Sequence, residues 1–444
     1  MSNPESVYIK SIILESDRIN DSLDIGPSVT DFDIFENLNK PYLTATMVFV
    51  DSSAVVEGVD ILGGETVTFI IKSLKNDETT EIIKKFYITK IVKSVHVNNN
   101  TEVNVIHLTE DIAYISNLYN INKSYTGKRS AIIKKLLKQY FDKSLTVVGE
   151  DLNSTKVIIP NLNPIESMIW LKNTATTIDG YPFYLYSKLI GQDIEFSDLG
   201  SLLSKNSINP EKPYVYSSIT PNDTLENNRT KSIMNYQFGI SENLFELIER
   251  SLIGSKQQYI DTLTNKTNSY NFDIVKDLLS KLRQKEVIKE NQNKLPFSED
   301  FKVNETSLNK LQSKTITQIG GSETFRENSE NKSQGITLSY NEANTVGEYK
   351  LKTISRAMDH VIKKTPLQII VEGNDFIDGD ENYSIGKNIE IIFHKTSQDL
   401  VEEGNDVDLK KSGKYLIFAT RHMFKPEKYD LSLSCVKIAS NDTA

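Results

Sequence analysis

The apolar positions of this 444-residue chain change period along its length. Residues 1–113 follow the period of two expected of half-buried strands. Tyr42–Val50 alternates, and Thr66–Ile71 (TVTFII) predicts a second strand. Lys85–Val97 and Glu102–Leu108 predict a hairpin around the polar turn Asn98–Asn100. Gly63-Gly64 marks a tight turn, where positive φ costs glycine little. The one helical signal here, Asp31–Leu38, is short.

Residues 114–206 mix the two periods. Arg129–Phe141 predicts an amphipathic helix. Ile132, Ile133, Leu136, Leu137, Tyr140 and Phe141 form one face, and Lys134, Lys135 and Lys138 the other. Val157–Ile159 is a β-branched run. It leads into a helix with Asn163 as cap, Pro164 at the first position and Glu166 three residues after the cap. Ile165, Met168, Ile169 and Ile178 carry the apolar spacing, Gly180 is expected to end the helix, and Tyr181–Tyr186 predicts an aromatic strand. The single Trp, Trp170, is expected to fill this core.

Strand signals return at Tyr214–Ile219 and Ser232–Phe238. In 241–346, Asn243–Leu252 and Asp273–Glu290 predict helices. Glu290–Asn344 is mostly Asn, Ser, Thr, Glu and Lys, an excursion too long for a simple loop. Residues 347–444 open with a helix, Glu348–Lys363, with Leu351, Ile354, Met358 and Ile362 inward, and then read as strands.

The first and last blocks share an order. Pro41 precedes the strand Tyr42–Val50, and Pro366 precedes Leu367–Glu372. ILGGETVTFIIK, with Gly64, matches YSIGKNIEIIFHK, with Gly386. Phe86–Thr89 (FYIT) and Tyr415–Phe418 (YLIF) each open a hairpin, closed by Glu102–Leu108 and by Asp430–Val436. Repeats so far apart point to two copies of one β-domain, not to a solenoid. The expected fold class is α+β, mainly β: two similar β-barrel domains with mixed α/β and helical insertions. The first barrel takes 1–113. The mixed α/β domain takes 114–206. The second barrel takes 207–240 and 347–444, interrupted by a helical and polar insertion at 241–346.

Composition narrows the function. The formal charge of −9, with Lys and Arg spread along the chain, argues against a protein that grips nucleic acid through phosphate contacts. One cysteine, Cys435, excludes a disulfide framework and a cysteine-built zinc site. The N-terminus, MSNPESVYIK, lacks a basic region followed by an apolar core, so no secretory signal is expected. No apolar run approaches the roughly 20 residues a spanning helix needs. The chain reads as soluble and made in a cytoplasm.

No catalytic, cofactor-binding or metal-ligating residue is assigned. His96, His107, His360, His394 and His422 lack ligand spacing and read as strand or surface histidines. There is no GxSxG, GxxxxGK[ST] or HExxH. Gly373–Asp380 (GNDFIDGD) superficially resembles an acidic calcium loop but lacks the glutamate at position twelve, and reads as a solvated turn. No carboxylate pair is set off by aromatic sugar-binding surroundings.

Three segments resemble baseplate hub proteins of large contractile-tailed bacteriophages. They are Ile159–Thr176 (IPNLNPIESMIWLKNTAT), Asp31–Leu43 (DFDIFENLNKPYL) and Gly413–Leu433 (GKYLIFATRHMFKPEKYDLSL). They fall at the middle, start and end, so the resemblance covers most of the chain, least over 241–346. It implies a non-enzymatic structural protein with two tail-tube-like barrels per subunit. Three subunits would form a homotrimeric, pseudo-sixfold ring that adapts a hexameric tail tube to a trimeric central spike. The implied partners are the spike or tail lysozyme protein, tail tube or tube-initiator proteins and baseplate wedge proteins. DNA would pass through the channel without specific binding, and the −9 balance suggests an acidic channel wall. The implied location is the virion tail baseplate. The alternatives are a cell-wall hydrolase acting during phage entry, the hub of a related contractile secretion injector, and a carbohydrate-binding β-protein.

Overall fold

The computed structural model describes residues 7–18, 22–73, 81–98, 101–152, 155–191, 193–216, 231–239, 249, 255–261, 266–272, 277, 281, 302–303, 305–307, 314–320, 337–339, 348–363, 366–373, 384–394, 407–408, 411–426 and 428–437. The chain is mainly β, built on a large and largely antiparallel sheet.

The N-terminal strands are β1 (Val7–Glu15), β2 (Leu23–Asp24), β3 (Val29–Asn37), β4 (Thr44–Asp51), β5 (Thr66–Ser73), β6 (Glu81–Asn98) and β7 (Thr101–Glu110). Short helices α1 (Val55–Val59) and α2 (Asp111–Ser116) interrupt and follow them. The helical signal at Asp31–Leu38 is overturned, because these residues form β3. Phe32, Ile34 and Glu36 point inward while Asp31, Asp33 and Phe35 point out. That is a period of two, which a helix cannot satisfy. The turn expected at Asn98–Asn100 lies largely outside the described residues.

The mixed region contains β8 (Ser124–Gly127), β9 (Leu145–Val148), β10 (Thr155–Ile158), β11 (Phe183–Tyr186) and β12 (Ile194–Asp198). Helices α3 (Arg129–Phe141) and α4 (Pro164–Thr174) pack together, and α5 (Leu199–Ser204) follows β12. The core joins Ile132, Ile133, Leu136 and Leu137 of α3 to Met168 and Leu171 of α4 and to Phe183 and Phe196. Trp170 packs against this core, partly buried. The cap of α4 is complete: Asn163 Oδ1 accepts from the Glu166 amide at 2.8 Å, and Glu166 Oε2 accepts from the Asn163 amide at 3.3 Å. Gly180 does not end α4. The helix stops at Thr174, where Ala175 turns extended, and Ile178 lies beyond it, 74% exposed. Gly180, at φ 86°, closes a separate turn on Thr177, and a Cβ there would sit 2.9 Å from Ile354.

The remaining strands of the core are β13 (Tyr214–Tyr216) and β14 (Asn235–Phe238). In 241–346 the described residues include β15 (Ser255–Asp261), β16 (Lys266–Phe272), β17 (Lys302–Val303), β18 (Thr306–Ser307), β19 (Lys314–Gly320) and β20 (Thr337–Ser339). In the insertion expected to be helical and then loose, the described residues Glu249, Asp277 and Lys281 are helical, and strands are present as well. β16, β15 and β19 make a three-stranded sheet, and β20 lies parallel to β10 of the mixed region. Backbone pairing, not apolar periodicity, orders these polar segments. Most of the helices expected at Asn243–Leu252 and Asp273–Glu290 lies outside the described residues, as does Gly373–Asp380 beyond its first glycine.

Helix α6 (Glu348–Ile362) and strands β21 (Pro366–Glu372), β22 (Asn388–Phe393), β23 (Gly413–Lys425) and β24 (Lys428–Val436) complete the chain. Ile354, Met358 and Ile362 of α6 are buried as expected, in one core with the N-terminal and C-terminal strands. Among the described residues no helix is long and apolar enough to cross a membrane.

Lys172, at the end of α4, is wedged between these parts. It is 8% exposed, its ammonium donates to Asn39 Oδ1 at 3.0 Å, and burial pulls its pKa from 10.5 to about 8. Asp359 of α6 partly offsets that shift, and is itself held by the Tyr184 hydroxyl at 2.8 Å and by Lys363 at 2.6 Å.

Candidate assembly surface

The large sheet uses one pairing order twice. Five strands run β3-β4-β7-β6-β5, and five more run β14-β21-β24-β23-β22. The antiparallel registers correspond: Ala45 faces Leu108, which faces Ile88, as Leu367 faces Cys435, which faces Ile417. Each set has a glycine turn at the same place. The Gly64 amide donates to the Ile88 carbonyl at 3.1 Å and the Ile88 amide to the Glu65 carbonyl at 2.8 Å. The Gly386 amide donates to the Ile417 carbonyl at 3.0 Å and the Ile417 amide to the Lys387 carbonyl at 2.9 Å. Both glycines have positive φ, 97° and 77°, where a side chain is strained. Each long strand then bulges by one residue, between Ile88 and Lys90 and between Ile417 and Ala419. FYIT and YLIF therefore occupy equivalent positions.

The two sets join through β3 and β23. Six residue pairs run from Ala419 opposite Asn37 to Phe424 opposite Phe32. This is possible because β22 covers β23 only from Gly413 to Leu416, which leaves its outer half open to β3. Phe32 stacks on Phe69 and packs on Phe424, so both sets share this part of the core.

A polar cluster is buried in the junction. His422 and Glu36 are 0% and 1% exposed, with His422 Nε2 3.2 Å from Glu36 Oε2. His422 Nδ1 lies 2.9 Å from the Tyr429 hydroxyl. With Nε2–H donating to the carboxylate, Nδ1 is left facing the tyrosine hydroxyl, which can donate or accept. Glu36 Oε1 also accepts from the Leu189 amide and from the Ser384 hydroxyl at 3.3 Å. One carboxylate therefore ties β3, β23, the mixed region and the loop before β22. Sequence reasoning placed His422 in a strand but missed its partner, because the two residues lie 386 positions apart. The only local signal is a glutamate at an inward position of β3.

Two strand edges stay open among the described residues. β5 covers β6 only from Glu81 to Tyr87, and nothing described pairs with that side from Lys90 to Val97. Val92, Val95 and Val97 are 48%, 40% and 64% exposed there. At the other end of the sheet, β14 pairs only with β21. Unpaired edges with apolar side chains invite strand addition.

The face of the sheet turned away from the core carries Asp31, Asp33, Glu372 and Asp430, but also Lys90, Lys93, Arg421, Lys425 and Lys428. Several are paired: Arg421 with Asp33 at 2.7 Å, Lys428 with Asp430 at 2.6 Å and Lys425 with Asp31 at 3.8 Å. Here the registers bring opposite charges together.

The five histidines stand apart: His96 on β6, His107 on β7, His360 on α6, His394 beside β22 and His422 in the junction. Among the described residues no three His, Cys, Asp or Glu side chains gather as a metal site. Cys435 is buried in β24, which pushes its thiol pKa up and leaves it unreactive. A cavity of about 530 Å³ lies between β6 and the mixed region. On its lining, Lys84 donates to the carbonyls of Lys188 and Gly191 at 3.4 Å and sits 3.8 Å from Glu110. Burial lowers the Lys84 pKa and raises that of Glu110. These bonds dock the mixed region on the sheet.

This arrangement defines a strand-built module whose edges at β6 and β14 are open among the described residues. No family model matches the chain, and no curated protein does. Among solved structures it is similar to the 43 kDa tail protein of prophage MuSo2 from Shewanella oneidensis. The two are 10% identical over 97% of this chain and 98% of that one, with a TM-score of 0.51. A tail protein from Neisseria meningitidis is 11% identical over 96% of both chains, with a TM-score of 0.49. The chain thus has the fold of a prophage tail protein.

Proposed function

We propose that this protein is the structural hub subunit of a contractile phage tail baseplate, acting by assembly and not by catalysis. One observation carries the reading: the five-strand order occurs twice within one continuous sheet. A chain with two equivalent units can present sixfold repetition with three copies, and so can join a hexameric tube to a trimeric spike. In this reading 1–113 forms one tube-like barrel and 207–240 with 347–444 forms the other. The homotrimer surrounds a channel, bound on one side by tail tube proteins and on the other by the central spike, with wedge proteins outside. The paired charges of the open face leave little net attraction for a passing polyanion, so DNA slides through without being held.

Mass measurement in solution tests the proposal. A trimer, alone or on addition of a spike protein, is expected; a chain that stays monomeric with the spike present overturns it. Turnover of peptidoglycan by the purified chain would instead establish the hydrolase alternative.

A further inference from the structure

We infer which strands meet when copies of this chain assemble, and in which register: β14 of one copy adds to the open edge of β6 in the next, with Gln237 opposite Val95. The inference rests on the ring reading and adds a specific interface to it.

The template is the internal junction. There β3, the first strand of one five-strand set, lies on the outer half of β23, the fourth strand of the other. β14 is the first strand of its own set, and β6 is the fourth strand of the other. The internal contact therefore has one counterpart, β14 on β6, and both of these edges are open among the described residues. The uncovered part of β6 begins after the bulge at Ile88, as the part of β23 taken by β3 begins after the bulge at Ile417.

The register follows from the same correspondence. Asp33 faces Met423 across the junction. Asp33 pairs with Thr46 of β4, and Thr46 holds the place in its set that Gln368 holds in the other. Gln368 pairs with Gln237, so Gln237 stands for Asp33. Met423 faces Asp430, which corresponds to Val103 of β7, and Val103 faces Val95. Val95 thus stands for Met423. Gln237 is exposed and Val95 is 40% exposed, as residues awaiting a partner must be. In this antiparallel register Asn235 stands opposite Val97, so no like charges are forced together along β14.

Crosslinking tests this. In the full chain, Val95→Cys with Gln237→Cys should oxidise to a disulfide between copies, since directly opposed strand residues stand about 5.5 Å apart at Cα, within disulfide range. In one copy β14 and β6 are not neighbours in the sheet, and non-reducing gel mobility separates a bond between copies from one within a chain. Cys435 is buried and should not compete. The expected outcome is a covalent ladder ending at three copies, with the 95–237 peptide pair found by mass spectrometry and absent from either single variant. Val95→Cys with Asn235→Cys, two residues out of register, should crosslink roughly tenfold less. A stable three-copy assembly that gives no 95–237 bond, or favours 95–235, overturns this interface and leaves the ring standing. A chain that remains monomeric overturns both. If the double variant does not assemble, hydrogen exchange of the wild-type chain decides. Slowing of roughly tenfold or more at both Lys90–Val97 and Asn235–Phe238 on assembly supports the interface, and unchanged exchange at both refutes it.

Discussion

Replacing Lys172 by methionine should stabilise this protein, and by an amount that depends on pH. The side chains have similar length, so the packing around α4 is kept. A shift from 10.5 to about 8 means that the charged form is held in the folded state at a cost of about 3 kcal/mol. The bond to Asn39 returns about 1 kcal/mol, and Asn39 is half-buried and can turn to water once it is lost. Asp359 keeps Lys363 and Tyr184 as partners. The variant should therefore gain about 1–2 kcal/mol near pH 7. Below pH 8 the lysine is charged in both states and the gain is flat. Between about pH 8 and 10.5 the unfolded chain keeps the proton while the folded chain releases it, so wild-type stability rises relative to the variant and the gain shrinks. Paired urea titrations from pH 6 to pH 10 would measure it. A variant less stable than wild type at pH 7, or a gain that does not change with pH, would refute the reasoning.

Two further outcomes follow from the described geometry. Glu36→Leu removes the acceptor shared by His422, Leu189 and Ser384, and should cost about 3–5 kcal/mol, with hydrogen exchange accelerating first along β3 and the outer half of β23. Asn163→Ala removes the side-chain acceptor of the Glu166 amide, leaves the Asn163 backbone amide on Glu166, and should cost about 1 kcal/mol, read as earlier melting of the mixed region while the junction keeps its exchange protection.

Much of the fold is legible where one residue has one local job. The α4 cap and the amphipathic face of α3 follow from spacing within single turns. The equivalence of Gly64 and Gly386 is legible too, since the glycine and the strand behind it survive in both copies. What the sequence hides is what distant segments supply. β3 reads ambiguously because Glu36 occupies an inward position that only His422, Leu189 and Ser384 make tolerable. β15 and β16 carry few apolar residues, so their backbone pairing leaves no periodic trace. The end of α4 is set by the extended backbone at Ala175, not by the glycine downstream. The edges of β6 and β14, open among the described residues, appear only in the strand pairing itself.

The Glu36–His422 junction implies a mechanical asymmetry in any ring of these chains. Seams would alternate. Those within a chain are closed by covalent continuity and a buried polar lock, whereas those between chains must recover the several kcal/mol lost on association from edge pairing alone. A load that strains such a ring would part it at every second seam, releasing whole chains and never half-chains.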